Sequence, residues 1–184
     1  MKKLFQTFVA VIVFLSMSAS VSYAAERGTA TDNTAAICQA VSKYFKEENL
    51  KFSDFNDKNI AYISFNLDSE LSSLGFVIRA ENGMLMFRSV LPVKAEESSR
   101  AVVAEYLLRA NYGMKNGCFD FDFNDGEISF RVFLYCADGV PTKNQVFYAI
   151  KLSIAMVKRY DDGLLKVMHG NENPAEVIRQ IESD

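Results

Sequence analysis

Two short corners constrain this chain more than any other feature. Asn82-Gly83 and Asp125-Gly126 are each flanked by runs in which apolar residues alternate with others. An Asx-Gly pair suits the two-residue type I′ turn between antiparallel strands, because both central residues of that turn take positive φ. Each corner therefore predicts a hairpin, and each turn fixes a register. With Asn82-Gly83 at the corner, Ala80 faces Leu85, Ile78 faces Phe87 and Phe76 faces Ser89. Side chains alternate along a strand, so one face of this ribbon carries Phe76, Ile78, Leu85, Phe87 and Leu91. The other carries Val77, Arg79, Met84, Met86, Arg88 and Val90. At the second corner Phe123 opposes Ile128, Phe121 opposes Phe130 and Phe119 opposes Val132, while Asp120 meets Arg131 on the reverse face.

The remaining segments supply one more strand and the helices. Ala61, Ile63, Phe65 and Leu67 mark a half-buried strand ahead of the first hairpin. A first helix is expected over roughly residues 34–48, where Ile37, Ala40, Val41, Tyr44 and Phe45 recur at helical spacing and Asp32 or Thr34 can cap. Pro92 is expected to stop the third strand. A second helix over about 95–111 has Val102, Val103, Tyr106, Leu107 and Ala110 as its stripe. Glu96 and Glu97 would fill its first turn and Arg109 its last, with Gly113 as terminator. A long helix runs from Pro141 or Thr142 to about Tyr160, with Asp161-Asp162-Gly163 as a candidate interruption before residues 164–169. A short amphipathic helix over 174–182 finishes the chain. The fold class read from this order is α+β: helix, three-strand antiparallel meander, helix, β-hairpin, long C-terminal helix. With 49% hydrophobic and 23% charged residues and no linker after Thr34, residues 34–184 read as a single globular domain.

The N-terminus carries an export pattern. Lys2 and Lys3 precede an apolar stretch from Leu4 to Leu15, and Ser22-Tyr23-Ala24 forms a small-x-small cleavage site. The apolar run dissolves into Ser16, Ser18 and Ser20 before reaching the ~20 residues that a membrane-spanning helix needs. Residues 1–24 are therefore expected to be a cleaved signal peptide and 25–33 a flexible lead-in. The product would be periplasmic or extracellular, with no membrane span after cleavage. Loss of Lys2 and Lys3 takes the net charge from −3 to −5. That balance offers no basic stripe to nucleic acid.

Little in the residue set suggests chemistry. His169 is the one imidazole, and no G-x-S-x-G, P-loop, Rossmann or H-E-x-x-H pattern is present. Asp120, Asp122 and Asn124 superficially resemble a calcium loop. However, the sixth place holds Asp125 instead of glycine, and the twelfth holds Arg131 instead of glutamate. In the expected register Cys118 lies on the polar face opposite Phe133 and Cys136 on the apolar face, which does not suit a disulfide. A Cys38–Cys136 bridge and buried free thiols both stay open. No catalytic set, metal site or cofactor is expected. A small hydrolase built on Cys118 or Cys38 with His169, or on paired carboxylates, is the least favoured reading.

The element order and the stretch from Leu107 to Val132 resemble the YbjN-like family of bacterial proteins. The residues that carry the resemblance are Asn111 at the end of the second helix, Gly117 and Phe119 of a Gly-x-Phe strand, the Asp125-Gly126 turn, and Arg131-Val132. It spans roughly residues 37–169. The resemblance implies an α+β fold like that of type III secretion chaperones and a description as a sensory-transduction regulator. It transfers no catalytic residue. Familiar members are cytoplasmic, whereas this chain has an export signal.

The second face of each hairpin is where a partner is expected. Val77, Arg79, Met84, Met86, Arg88 and Val90, with Arg131, Phe133 and Tyr135 of the second hairpin, form a mixed apolar and cationic surface. Methionine adapts to varied contacts, and arginine is enriched at interfaces. The expected function is an exported, non-enzymatic interaction domain, chaperone-like or regulatory, that binds a protein or peptide segment or a second copy of itself. The alternative is a small-molecule carrier or sensor with a pocket between the sheet and the long helix, motivated by 15 Phe and 8 Tyr.

Overall fold

A computed structural model describes residues 32–170 and 172–183. The expected signal peptide, and the lead-in up to residue 31, lie outside the described residues.

Helix α1 (Thr34–Glu47) opens the described chain, its Thr34 N–H donating to the Asp32 carboxylate. Strands β1 (Ile60–Asn66), β2 (Ser73–Glu81) and β3 (Met84–Lys94) follow as a meander. A 3-10 turn over Glu97–Ser99 leads into α2 (Arg100–Tyr112), then β4 (Cys118–Phe121) and β5 (Glu127–Tyr135). Two further helices, α3 (Lys143–Gly170) and α4 (Pro174–Ser183), complete the order. The strands form one antiparallel sheet in the order β1-β2-β3-β5-β4.

The first hairpin has the expected register, with Ala80 opposite Leu85, Ile78 opposite Phe87 and Phe76 opposite Ser89. Asn82 and Gly83 take φ of 51° and 71°, the pair of left-handed conformations that a type I′ turn requires. Phe76, Ile78, Leu85, Phe87 and Leu91 are all buried. They meet Ile37, Val41 and Phe45 of α1, Val103, Tyr106 and Leu107 of α2, and Val146, Ile150, Val157 and Leu164 of α3 in one core. Ser89, the one polar residue on that face of β3, donates its hydroxyl to the Phe130 carbonyl at 3.1 Å.

The second hairpin differs from the expected register by two residues: Phe121 pairs with Ile128 and Phe119 with Phe130. A two-residue turn would need Asp125 left-handed, and only Gly126 is (φ 75°). Side chains favour a wider loop instead. The Asp122 carboxylate accepts the Asn124 N–H, that of Asp125 accepts the Glu127 N–H, and the Gly126 N–H reaches the Asp122 carbonyl. A shift by two preserves parity, so every side chain that stays in the ladder keeps its predicted face. Phe123, expected to pair with Ile128, lies exposed in the loop.

Three other boundaries differ. Pro92 does not stop β3, which runs through it to Lys94. The β3–β5 register slips between Val90 and Lys94, and a residue without an N–H fits that bulge. Both acids precede α2, Glu96 extended and Glu97 in the 3-10 turn, because the Ala95 N–H pairs with the Gly126 carbonyl and holds the chain extended up to Glu96. The long helix is unbroken across Asp161-Asp162-Gly163. Gly163 is buried where Tyr106, Val177 and Ile181 crowd the helix, so its small size serves packing and does not end α3. Thr142 starts α3 as half of a capping box: its hydroxyl accepts the Gln145 N–H, and its own N–H donates to the Gln145 side chain.

Candidate functional site

Helices α1, α2 and α3 pack against the face that carries the buried residues, α4 packs on α2 and α3, and no described element covers the other face of the sheet. Every residue that the sequence assigned to a partner surface lies on that outer face. In register, Met84 stands opposite Tyr135, Met86 opposite Phe133, Arg88 opposite Arg131 and Val77 opposite Arg88. Tyr135 is 75% exposed and Phe133 and Met84 both 43%, so large apolar groups lie uncovered at the end of the sheet nearest the Asn82-Gly83 corner. The sequence reading missed Tyr62. It is 51% exposed and pairs with Val77, which extends the apolar surface onto β1. Its place between buried Ala61 and Ile63 was readable from parity and the expected meander set β1 beside β2, but the register that puts Tyr62 against Val77 was not readable.

Arg88 and Arg131 face each other, which like charges alone would oppose. Each is held by an acid of its own. The Arg88 Nη2 meets Glu127 at 2.6 Å and its Nε donates to the Ser129 hydroxyl at 3.0 Å. Arg131 grips Asp120 through two hydrogen bonds of 2.5 and 2.8 Å and lies 5.0 Å from the Phe133 ring centre. In the shifted register Asp120 faces Ser129, so this pair is diagonal. Arg79 binds Glu81 at 2.9 Å. These three arginines are thus neutralised within the face, leaving an amphipathic surface around them.

Both edges of the sheet are covered over part of their length, β4 by a side chain and β1 by the segment around Phe52, which bridges Ile63. On β4, the Asn111 amide accepts the Phe119 N–H at 2.7 Å and donates to the Phe119 carbonyl at 2.9 Å, as a neighbouring strand would. Arg100, at the other end of α2, donates to the Phe123 carbonyl. On β1, the Asn56 side chain accepts the Ile60 N–H, and Ser53 binds both backbone groups of Tyr62. An unpaired strand edge invites strand addition, and these devices remove it there.

The thiols offer no reactive centre. Cys38, Cys118 and Cys136 are free, with Cys38 and Cys136 buried. Burial pushes all three up from the ordinary thiol range, and the Asp120 carboxylate adds to the rise at Cys118. Cys118 sits opposite Arg131, not opposite Phe133. Its sulfur contacts Asp120 and Arg131, that of Cys136 contacts the Leu134 carbonyl, and neither reaches His169, which lies exposed in the last turn of α3. Among the described residues no group of three or more His, Cys, Asp or Glu is placed to hold a metal ion.

The pocket expected between sheet and long helix is replaced by packing. The void lined by Leu91, Tyr106, Phe119, Val157, Tyr160 and Leu164 has no room for a water molecule. A groove of about 560 Å³ opens on the outer face instead, bounded by Phe52, Tyr62, Gly75, Val77 and Val90 with Lys51 at its rim.

No family model matches the chain, and no curated protein matches it. The solved structures that it resembles include the following two. YbjN from E. coli, described as a proposed transcription regulator, has a TM-score of 0.49 and 11% identity, over 66% of this chain and 85% of that one. The ExsC–ExsE complex gives a TM-score of 0.48 and 14% identity, over 72% of this chain and 96% of the matched one. The likeness to both is one of α+β architecture. No helix among the described residues is long and apolar enough to cross a membrane.

Proposed function

We propose that this chain is an exported, non-enzymatic interaction domain that holds a segment of another protein against the outer face of its sheet. The observation that carries this reading is the uncovered apolar surface of Met84, Met86, Phe133, Tyr135 and Tyr62 beside arginines already neutralised by their own acids. Soluble monomers rarely leave contiguous apolar surface of this kind without a use for it. Cover over parts of both sheet edges supports a partner that meets the face. Export is the part of the proposal that rests on the N-terminal pattern alone. It is tested by sequencing the N-terminus of protein recovered outside the cytoplasm, where cleavage predicts Ala25 as the first residue.

The interaction is tested with a photo-reactive residue placed at Phe133, and separately at Leu108 on the helical side, in the living host. Adducts to another polypeptide from position 133 that vanish with Met86→Asp, and none from 108, are the expected result. Equal adducts from both positions, or none from 133, refute the surface. Adducts only to the chain itself, with light scattering that reports a dimer, would reassign the face to a second copy.

A further inference from the structure

The outer groove contains a glycine that the chain's own architecture does not require. Gly75 lies in the interior of β2, opposite Ser64 on one side and Val90 on the other. It is not among the residues with positive φ, so its backbone suits any residue. A Cβ built there would meet nothing within 4 Å, so no neighbouring element needs the space. A glycine inside a strand weakens it and often marks a close approach by another group. Here the described residues supply no such group. The gap is the floor of the groove, with Phe52, Tyr62, Val77 and Val90 around it.

The rim carries a second signal. Arg79, Arg88 and Arg131 each bind an acid of the same face, whereas Lys51 makes no ion pair within 4 Å among the described residues. An occupant with an acidic group would supply what Lys51 lacks. Strand addition is closed off beside the groove, because Asn56 and Ser53 already hold the Ile60 N–H and the Tyr62 backbone. Neighbouring strands of the groove stand about 4.8 Å apart, close to one turn of helix at about 5.4 Å, so side chains three or four residues apart match adjacent strands.

We propose that this groove receives an amphipathic helix of the partner protein: two apolar side chains three or four residues apart enter above Gly75, and an acidic side chain meets Lys51. The assignment rests on the reading of the outer face as an interaction surface and narrows it to one seat and one chemistry of partner. Residues three or four apart lie on one side of a helix, which is how such segments fill grooves.

The test pans a phage-displayed random peptide library on the protein and measures selected peptides against Gly75→Leu, Lys51→Glu and Met86→Asp. Gly75→Leu fills the floor where a side chain has open space, so its unfolding midpoint should equal or exceed that of the parent. Gly75→Val replaces it in the test if it does not fold. The expected peptides carry paired apolar residues at that spacing with Asp or Glu alongside, bind Gly75→Leu at least about tenfold more weakly, and bind Lys51→Glu several-fold more weakly. Peptides without that pattern, or indifferent to Gly75→Leu, overturn the proposal. If binding is indifferent to Gly75→Leu yet lost with Met86→Asp, the groove is refuted while the outer-face reading stands. An acyl probe, cis-parinaric acid, that binds in a Gly75-dependent way when no peptide is selected would assign the groove to a lipid chain and overturn the helix. A dimer that Gly75→Leu dissociates would give it to a second copy and overturn it equally.

Discussion

Replacing Gly163 with alanine sets two opposed effects against each other, and the structure decides between them. In an exposed helix interior the change is favourable by about 1 kcal/mol, because alanine is the better helix former. Gly163 lies in the middle of α3 but faces inward. A Cβ there would stand 2.6 Å from the Tyr106 hydroxyl oxygen, 2.7 Å from Ile181 Cδ1 and 2.8 Å from Val177 Cγ1. Ile181 can swing away. Val177 on α4 cannot, and the Tyr106 hydroxyl is buried and donates to the Tyr160 carbonyl at 2.7 Å. Overpacking of this kind costs about 1–3 kcal/mol, and displacing a buried hydroxyl from its acceptor costs a further ~1–3 kcal/mol. The net expectation is a loss of about 1–5 kcal/mol, or roughly 2–20 °C in unfolding midpoint for a chain of this size. Thermal or urea unfolding followed by circular dichroism measures it. In a Tyr106→Phe background, which lacks the closest of the three atoms, the same substitution should cost less, and the difference is the coupling between the two sites. A Gly163→Ala protein as stable as the parent would refute the reasoning, since helix propensity would then have outweighed the α3–α4 contact.

Asn111→Ala should cost about 1–3 kcal/mol by leaving the Phe119 N–H and carbonyl without their partner. By reopening the β4 edge it should also raise the self-association seen in sedimentation velocity, and a variant that stays as stable and as monodisperse as the parent would show that Asn111 does not guard the edge. Alkaline stability follows from Tyr106, whose pKa is driven well above the ordinary value by burial, with Tyr160, Asp161 and Asp162 adding to the rise. A folded pKa raised above the unfolded one gives stability that is complete below about pH 10 and lost as pH climbs above it, at up to about 1.4 kcal/mol per pH unit for one group. Urea midpoints at pH 8 and pH 11 should therefore fall further for the parent than for Tyr106→Phe, and equal falls would exclude the effect.

What was legible in the sequence followed from local rules. Asn82-Gly83 set the first register because a two-residue turn leaves no freedom once both residues are left-handed. The outer-face residues could be collected before any fold was known, since parity depends only on position along a strand. The second register was illegible for a complementary reason. The carboxylates of Asp122 and Asp125 serve their own loop, and such caps compete with the tight turn that the same residues advertise. Gly163 showed the same limit. A glycine after two aspartates reads as a break, and only the approach of α2 and α4 reveals it as a packing site. The role of Asn111 was tertiary as well. The family resemblance drew attention to it, but its amide acquires meaning only from lying beside Phe119.

The groove and the partly covered edges are two consequences of one arrangement. A sheet with helices on a single side must leave its other face to solvent or to a partner. In an antiparallel sheet the solvated face is ordinarily polar, as the alternation of hydrophobic-in and polar-out requires. Here the ionic groups of that face are satisfied pairwise, and the large side chains left over are methionine and aromatic. Neutralised arginines lower the cost of covering the face, because each brings its counter-ion with it and no bare charge need be desolvated. Lys51 is the exception, a cation at the groove rim without an acid among the described residues. An apolar contact confined to Met86 and Phe133 would be indifferent to its charge, whereas a helix seated over Gly75 would not. Reversal at position 51 therefore separates a partner that merely covers the face from one that is read by it.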